Sequence, residues 1–372
     1  MLHSSKARAA VARLCLIVLG VLAALGRSPV HAAAVAAEGP TVLKNTVLVG
    51  VWQNSGYWAP GAKEPDFKFN SWFPRVEFRV RGPVTGGSQF VVEFTKPDGS
   101  VWAQVPCPTE EIPADRWTGT STQRDSSTAA EKKYTTGVGT FGFKIRLKNE
   151  LSGTNEVLYA GKFTVGKVSR SNGTPPTKNK YDYVVNHDWT LPVGYLWFKP
   201  DTVVSPLSAT MWFKGDTNGA DLSAYLFYKG KQIGSTKEMG SASTTEREVR
   251  TVDGAASDPA WRSWILTWFN VAESATDPAN PNERLFYLDK NPGEYEIKVL
   301  RKGTLCRQAT FTVGPDGKIV VPGAGTADPM ISTDRMVLPV KVLGTTDGAW
   351  NKTAWQTEGF YGNPIKGVVP PP

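Results

Sequence analysis

A chain of 372 residues with 42 Lys and Arg against 34 Asp and Glu carries a formal charge of +8. Half of that excess lies in residues 1–32, which hold Lys6, Arg8, Arg13 and Arg27 and no acid. The 38 basic residues that remain beside 34 acidic ones are too nearly balanced for a nucleic-acid binder, whose basic groups crowd one face. Only Cys107 and Cys306 lie beyond that segment, so no disulfide framework exists and burial of the abundant Trp, Phe and Tyr must hold the fold.

The first predicted element is a secretory leader. Lys6, Arg8 and Arg13 precede an apolar run of 12 residues, LCLIVLGVLAAL at 14–25. That is too short to span a bilayer, which needs about 20 apolar residues. Val30-His31-Ala32 then fits the small-x-small pattern for signal peptidase, with a second possible cut after Ala36. Cys15 lies inside the apolar run, which argues against a lipoprotein. The expected destination is secreted or periplasmic, and nothing after the leader reaches membrane-spanning length.

Tyr57 and Trp58, beside Pro60 in a loop with Gly and Ser, are candidate exposed ligand-binding rings. Strands follow. Residues 75–80 (RVEFRV) alternate charged and apolar with period two, which marks a strand with one buried face. FVVEF at 90–94 and SVWAQV at 100–105 flank Lys96-Pro97-Asp98-Gly99, a hairpin signal because Gly adopts positive φ freely. Gly137–Gly142 (GVGTFG) has dinucleotide-binding spacing, but an alternating strand follows instead of a helix, so it reads as a turn into a strand. A linker is expected over residues 167–180, which are polar and contain Pro175-Pro176.

Beyond the linker, His187 is the sole histidine outside the leader. With no GxSxG, HExxH or CxxC, it reads as surface structure rather than part of a triad. Asp216–Asp221 (DTNGAD) resembles half of a calcium loop but lacks the full spacing, so it reads as a turn. A hairpin covers residues 222–235, and residues 241–282 read as an insertion. Within it, DPAWRSWILTWF at 258–269 allows a helix capped by Asp258 or a strand with Trp264, Leu266 and Trp268 on one side. The strand suits its surroundings better. Trp261, Trp264 and Trp268 are either core residues or an aromatic platform for sugar rings, and they join Tyr57 and Trp58 as candidate ligand-binding residues. A strand is expected at 336–343, and the rings of Trp350, Trp355, Phe360 and Tyr361 call for packing back onto the body.

The two halves repeat a pattern. GTFGFKIRL at 139–147 and GKFTVG at 161–166 are matched by GEYEIKVL at 293–300 and TFTVG at 310–314. Duplication of one sandwich unit explains this. Leu288 to Ile297 (LDKNPGEYEI) resembles the tyrosine corner of the immunoglobulin-like and fibronectin type III-like sandwich repeats of exported bacterial proteins, with Tyr295 as the tyrosine. The resemblance implies a fold type and no site residues.

The expected fold is all-β: two tandem antiparallel β-sandwich domains with a C-terminal aromatic-rich extension. Their bounds are a leader at 1–32, sandwiches at 33–166 and 181–325 joined by the linker, and the extension at 326–372. The expected function is a non-catalytic binding or structural protein acting through sandwich surfaces on a protein or cell-envelope partner. No nucleic acid, cofactor or metal is expected. Two alternatives stand: a carbohydrate-binding module using exposed tryptophans on a polysaccharide, and a glycoside hydrolase using a carboxylate pair.

Overall fold

A computed structural model describes residues 39–54, 71–123, 133–169, 181–199, 204–215, 217–244, 261–275, 279, 281–320, 335–365 and 368–371. The leader at 1–32, Tyr57 and Trp58, and residues 170–180 of the expected linker lie outside them. The described chain is almost all β, as the alternating runs predict, with one short α-helix.

In the first half, β3 (Ser71–Arg81) is the centre of one sheet. β1 (Thr41–Val42) and β2 (Leu48–Asn54) pair along one side of it, and β6 (Trp117–Ser121) along the other. The facing sheet runs β5-β4-β7-β8-β9, from β4 (Ser88–Thr95), β5 (Val101–Pro106), β7 (Gly139–Asn149), β8 (Thr154–Ser169) and β9 (Tyr181–Val185). Val76, Phe78 and Val80 of β3 point inward toward Phe90, Val92 and Phe94 of β4 and Phe141, Phe143 and Ile145 of β7. At the centre Trp72 is fully buried, edge-on to Trp102 at 5.4 Å and to Phe141 at 4.9 Å, and its Nε1 donates to the Gly137 carbonyl at 2.8 Å. Burying each such ring contributes about 1.5–3 kcal/mol. The glycine-rich run at 137–142 thus leads into a strand, as expected.

The second half repeats the β5-β4-β7-β8 order of the facing sheet, beside a larger partner sheet. β10 (Val193–Phe198), β11 (Pro206–Lys214), β14 (Gly240–Thr244) and β15 (Trp261–Ala272) form the sheet β14-β15-β11-β10-β20, closed by β20 (Met336–Pro339). Facing it is β13-β12-β17-β18-β19, from β12 (Leu222–Tyr228), β13 (Lys231–Ser235), β17 (Gly293–Arg301), β18 (Thr304–Val313) and β19 (Ile319–Val320). Equivalent registers accompany the order. Gly139 pairs with Val165 and Phe141 with Phe163; Gly293 pairs with Val313 and Tyr295 with Phe311. Both leading glycines take positive φ, 116° and 140°, a region that a side chain makes costly. The register of β7 shifts after Ile145 and that of β17 after Val299, each six residues past its leading glycine.

Part of the insertion expected at 241–282 is a central strand of the sheet. β15 lies between β11 and β14 in the heart of its sheet and holds the place that β6 holds in the first half. Its twelve residues against five in β6 disguise the equivalence. The two cysteines are free and buried, Cys107 in the first core and Cys306 in the second. Burial raises the Cys107 thiol to about 12 and the Cys306 thiol to about 11, so both stay protonated.

The corner at Leu288 forms as the sequence suggests. Leu288 is fully buried, and the Tyr295 hydroxyl donates to the Asn291 carbonyl at 2.6 Å while its ring stacks on Phe311 at 4.9 Å. Tyr295→Phe keeps the ring and loses the bond. It is expected to cost about 1 kcal/mol in urea denaturation, whereas Phe141→Tyr in the first half gains nothing comparable.

The end of the chain crosses from one half to the other. β20 pairs with β10; one residue later β21 (Lys341–Val342) pairs with β18 of the opposite sheet. The single strand expected at 336–343 therefore switches sheets at Val340. Helix α1 (Ala354–Glu358) follows, then a 3-10 turn in which Phe360 and Tyr361 take left-handed φ of 49° and 60°. That conformation costs a non-glycine residue about 1–2 kcal/mol, and burial of both rings holds it in place. The Tyr361 hydroxyl accepts from the Val49 amide at 2.7 Å, and the Phe360 carbonyl accepts from Tyr159. Ile365 and Val368 then enter the first core.

Candidate functional site

The tryptophan candidates are placed first by β15. Its strand form puts Trp264, Leu266 and Trp268 on one buried side, as the strand reading requires, and Trp261 is buried as well. Trp268 is fully enclosed and donates from Nε1 to the Ala224 carbonyl at 3.3 Å. Trp261 donates to Asp188 at 2.9 Å under the Lys214 ammonium. All three rings are thus core residues, and the sugar-platform expectation does not apply to them: their apolar area is worth more packed between sheets than in water. Tyr57 and Trp58 lie outside the described residues.

His187 is not on the surface as the sequence suggested. It is 1% exposed, stacked on Trp212 at 5.5 Å and edge-on to Trp261 and Tyr361. Burial lowers its pKa to about 4, against the opposing pull of a backbone hydrogen bond with Val49 and the Asp188 carboxylate. The neutral ring closes a polar seam. Asp188 accepts from Lys214 Nζ at 3.1 Å, from Trp261, and from the Asn351 amide at 2.8 Å. One layer away, Arg307 is fully buried and grips Asp347 with two bonds of 2.6 and 2.8 Å, while also donating to the Trp212 and Cys306 carbonyls. Asp347 accepts from the Lys214 amide too, at 2.9 Å. The enclosed Lys214–Asp188 and Arg307–Asp347 pairs tie β11 and β18 to residues 347–351.

The exposed chemistry lies on the outer face of the β3 sheet. Period-two alternation sends Arg75, Glu77, Arg79 and Arg81 outward from β3. Opposite them, β6 presents Ser121 beside Glu77, Gly119 beside Arg79 and Trp117 beside Arg81. The Arg79 guanidinium sits over the Trp117 ring, 4.3 Å from its centroid, yet Trp117 remains 45% exposed. Arg75 and Glu77 form an ion pair. Arg75, Glu77, Arg79, Gly119 and Ser121 line an open groove of about 410 Å³ with Pro108 and Gln123, while Trp117 and Arg81 stand outside its lining. A side chain at Gly119 would rise into that space, since the nearest atom to a Cβ there is Arg79 Cγ at 3.8 Å.

The chain matches no protein-family model, and no curated protein aligns with it. The site must be read from its own chemistry.

Among the described residues no three His, Cys, Asp or Glu side chains stand close enough to hold a metal ion. The expected turn at 216–221 is a turn where it is described: the Asn218 side chain accepts from the Ala220 amide at 3.0 Å. No helix among the described residues is long and apolar enough to cross a membrane. Trp117 and Arg79 went unnoticed in the sequence, because WTGTS carries no clean alternation. The available signal was the row of arginines at 75, 79 and 81, of which the period-two reading at 75–80 already sent the first two to the outer face.

Proposed function

We propose that this chain acts, after export, as a non-catalytic binding protein that holds a cell-envelope or protein partner on the outer face of its first sheet. The observation that carries this reading is the groove over Gly119, where cationic and hydroxyl groups line an exposed strand pair, with the exposed Trp117 ring beside it against Arg79. The leader pattern supports the location. The repeated strand order and the Tyr295 corner support descent from a duplicated immunoglobulin-like or fibronectin type III-like unit. His187, both cysteines and the Lys214–Asp188 and Arg307–Asp347 pairs are taken up inside the molecule, which supports binding rather than bond-breaking as the task of the exposed groups.

Subcellular fractionation of the producing cell checks the location, and co-sedimentation with isolated envelope checks the face. Trp117→Ala and Gly119→Val are both expected to reduce sedimentation by about tenfold or more. Their thermal unfolding should stay near that of the unaltered chain, since Trp117 is exposed and a Cβ at position 119 meets only ordinary contact. Sedimentation unchanged in both variants would overturn the proposed face.

A further inference from the structure

We infer that two copies of this chain pair along their β6 edges, antiparallel about Gly119, and so join their first sheets into one. The inference does not depend on what the outer face holds. The Thr122 amide donates to the Val76 carbonyl at 3.0 Å, and the Gly82 amide donates to the Arg116 carbonyl at 2.9 Å. Residues 116, 118, 120 and 122 therefore turn their backbone groups toward β3, while Trp117, Gly119 and Ser121 turn theirs away from it. Among the described residues nothing bonds those outward amides and carbonyls, and Trp117 and Gly119 are exposed. A backbone row of this kind is a template for a further strand. The second half fills the matching place itself, where β14 pairs along β15 through five residues. Among the described residues the first half supplies no such strand.

Other edges are guarded. β5 ends on Pro106 and breaks register beside Thr95. β13 opens on Lys231, and Asn270 takes its Ile233 carbonyl. The Val49 amide of β2 donates to Tyr361. Prolines, lysines and side-chain caps of this sort block added strands. β6 has neither Pro nor Lys, and its register against β3 runs without a break. Its sequence is also self-complementary. A two-fold axis at Gly119 sets Trp117 opposite Ser121 of the second copy, Thr118 opposite its Thr120, and Gly119 opposite itself. The three outward-turned residues then meet one another, so each free amide finds a free carbonyl. Threonine opposite threonine is a favourable cross-strand pair, and no like charges stand opposite, since Arg116 meets Thr122 and Asp115 meets Gln123. No side chain crowds the axis, where a Cβ on Gly119 would meet nothing nearer than Arg79 Cγ at 3.8 Å. The same patch on both copies closes the assembly at two chains. Five residues a side cover less than the ~800 Å² per partner of a standard interface, so the dimer is reversible.

The test uses the full mature chain alone, in sedimentation equilibrium up to about 100 μM, where small interfaces are populated. A reversible monomer–dimer equilibrium is expected. Gly119→Pro should remove it, because it deletes an outward amide and leaves the ladder to β3 intact; thermal unfolding checks that this variant folds. Gly119→Glu, which sets two carboxylates opposite each other at the axis, should weaken the dimer by about fivefold and serves if the proline variant does not fold. Oxidation reads the register. Cα atoms of a hydrogen-bonded antiparallel pair lie about 5.5 Å apart, within disulfide reach, so Gly119→Cys should cross-link to its own copy. Ser121→Cys should not, since its copy lies four residues further along the strand, beyond about 7 Å. The native thiols are buried and stay out of the reaction. A dimer that ignores both Gly119→Pro and Gly119→Glu, or a cross-link formed equally by Ser121→Cys, would overturn the inference. A chain that stays monomeric throughout would overturn it too, and would leave the edge to a strand from another protein. Dimerisation is read without envelope, so its failure leaves the proposed binding face standing, and the failure of that face leaves the dimer.

Discussion

Asp347→Ala is expected to destabilise the protein by about 3–5 kcal/mol, a large part of the total stability of an ordinary domain. Arg307 is fully enclosed, and Asp347 is its sole acidic partner among the described residues, joined by two bonds. Removing the carboxylate strands a guanidinium away from water. The two carbonyls that also accept from Arg307, those of Trp212 and Cys306, neutralise no charge. The same substitution releases the Lys214 amide. Arg307→Met combined with Asp347→Leu should recover most of the loss, because an apolar pair of similar volume needs no desolvation of charge. Urea denaturation of Arg307→Met, Asp347→Leu and the double variant gives the coupling directly. A loss below about 1 kcal/mol for Asp347→Ala would mean that the pair does not hold the seam.

The second large effect is a dependence on pH at His187. Its folded pKa of about 4 lies below the ordinary value of 6.5, because burial disfavours the charged ring. As pH falls below about 6.5 the unfolded chain takes up this proton first, and the native state resists it until about pH 4. Stability from this residue is therefore complete above the upper limit, declines through the window and is flat below it. The full loss is about 3 kcal/mol. His187→Phe fits the slot between Trp212 and Trp261 and carries no titrating group, so it should erase this component. Near the seam Glu358, whose pKa burial and then the Asp188 charge raise, titrates in both proteins. The measurement is thus the difference between the unaltered chain and His187→Phe at pH 7 and at pH 4. Parallel stability curves for the two would show that His187 does not contribute the effect.

What the sequence made legible was whatever depends on neighbours close along the chain. The alternation at 75–80, the Asp-Gly hairpin at 98–99 and the Gly-led strands at 139 and 293 are local patterns, and each forms where expected. So does the choice of strand over helix at Trp264–Trp268. The seam was hidden because its partners are remote. His187-Asp188 looks like a polar loop, yet the groups that enclose it come from positions 212, 214, 261, 351 and 361. A buried polar residue follows no periodic rule and is recognisable only from its partners. The groove was hidden for a different reason. It passes over a missing side chain at Gly119, on a short strand whose threonines bond to Glu110 and Pro108 instead of continuing an apolar pattern.

The crossing of the last segment has a consequence for how the molecule is made. Tyr361 and Ile365 fill a core begun by Val49, more than 300 positions earlier. A polypeptide emerging from its amino end can pair most of its early sheets, but that interior stays open until residues 354–368 arrive. Maturation of the earlier part is thereby timed to the synthesis of that segment, and a product cut short before it leaves an apolar wound that quality-control proteases can find.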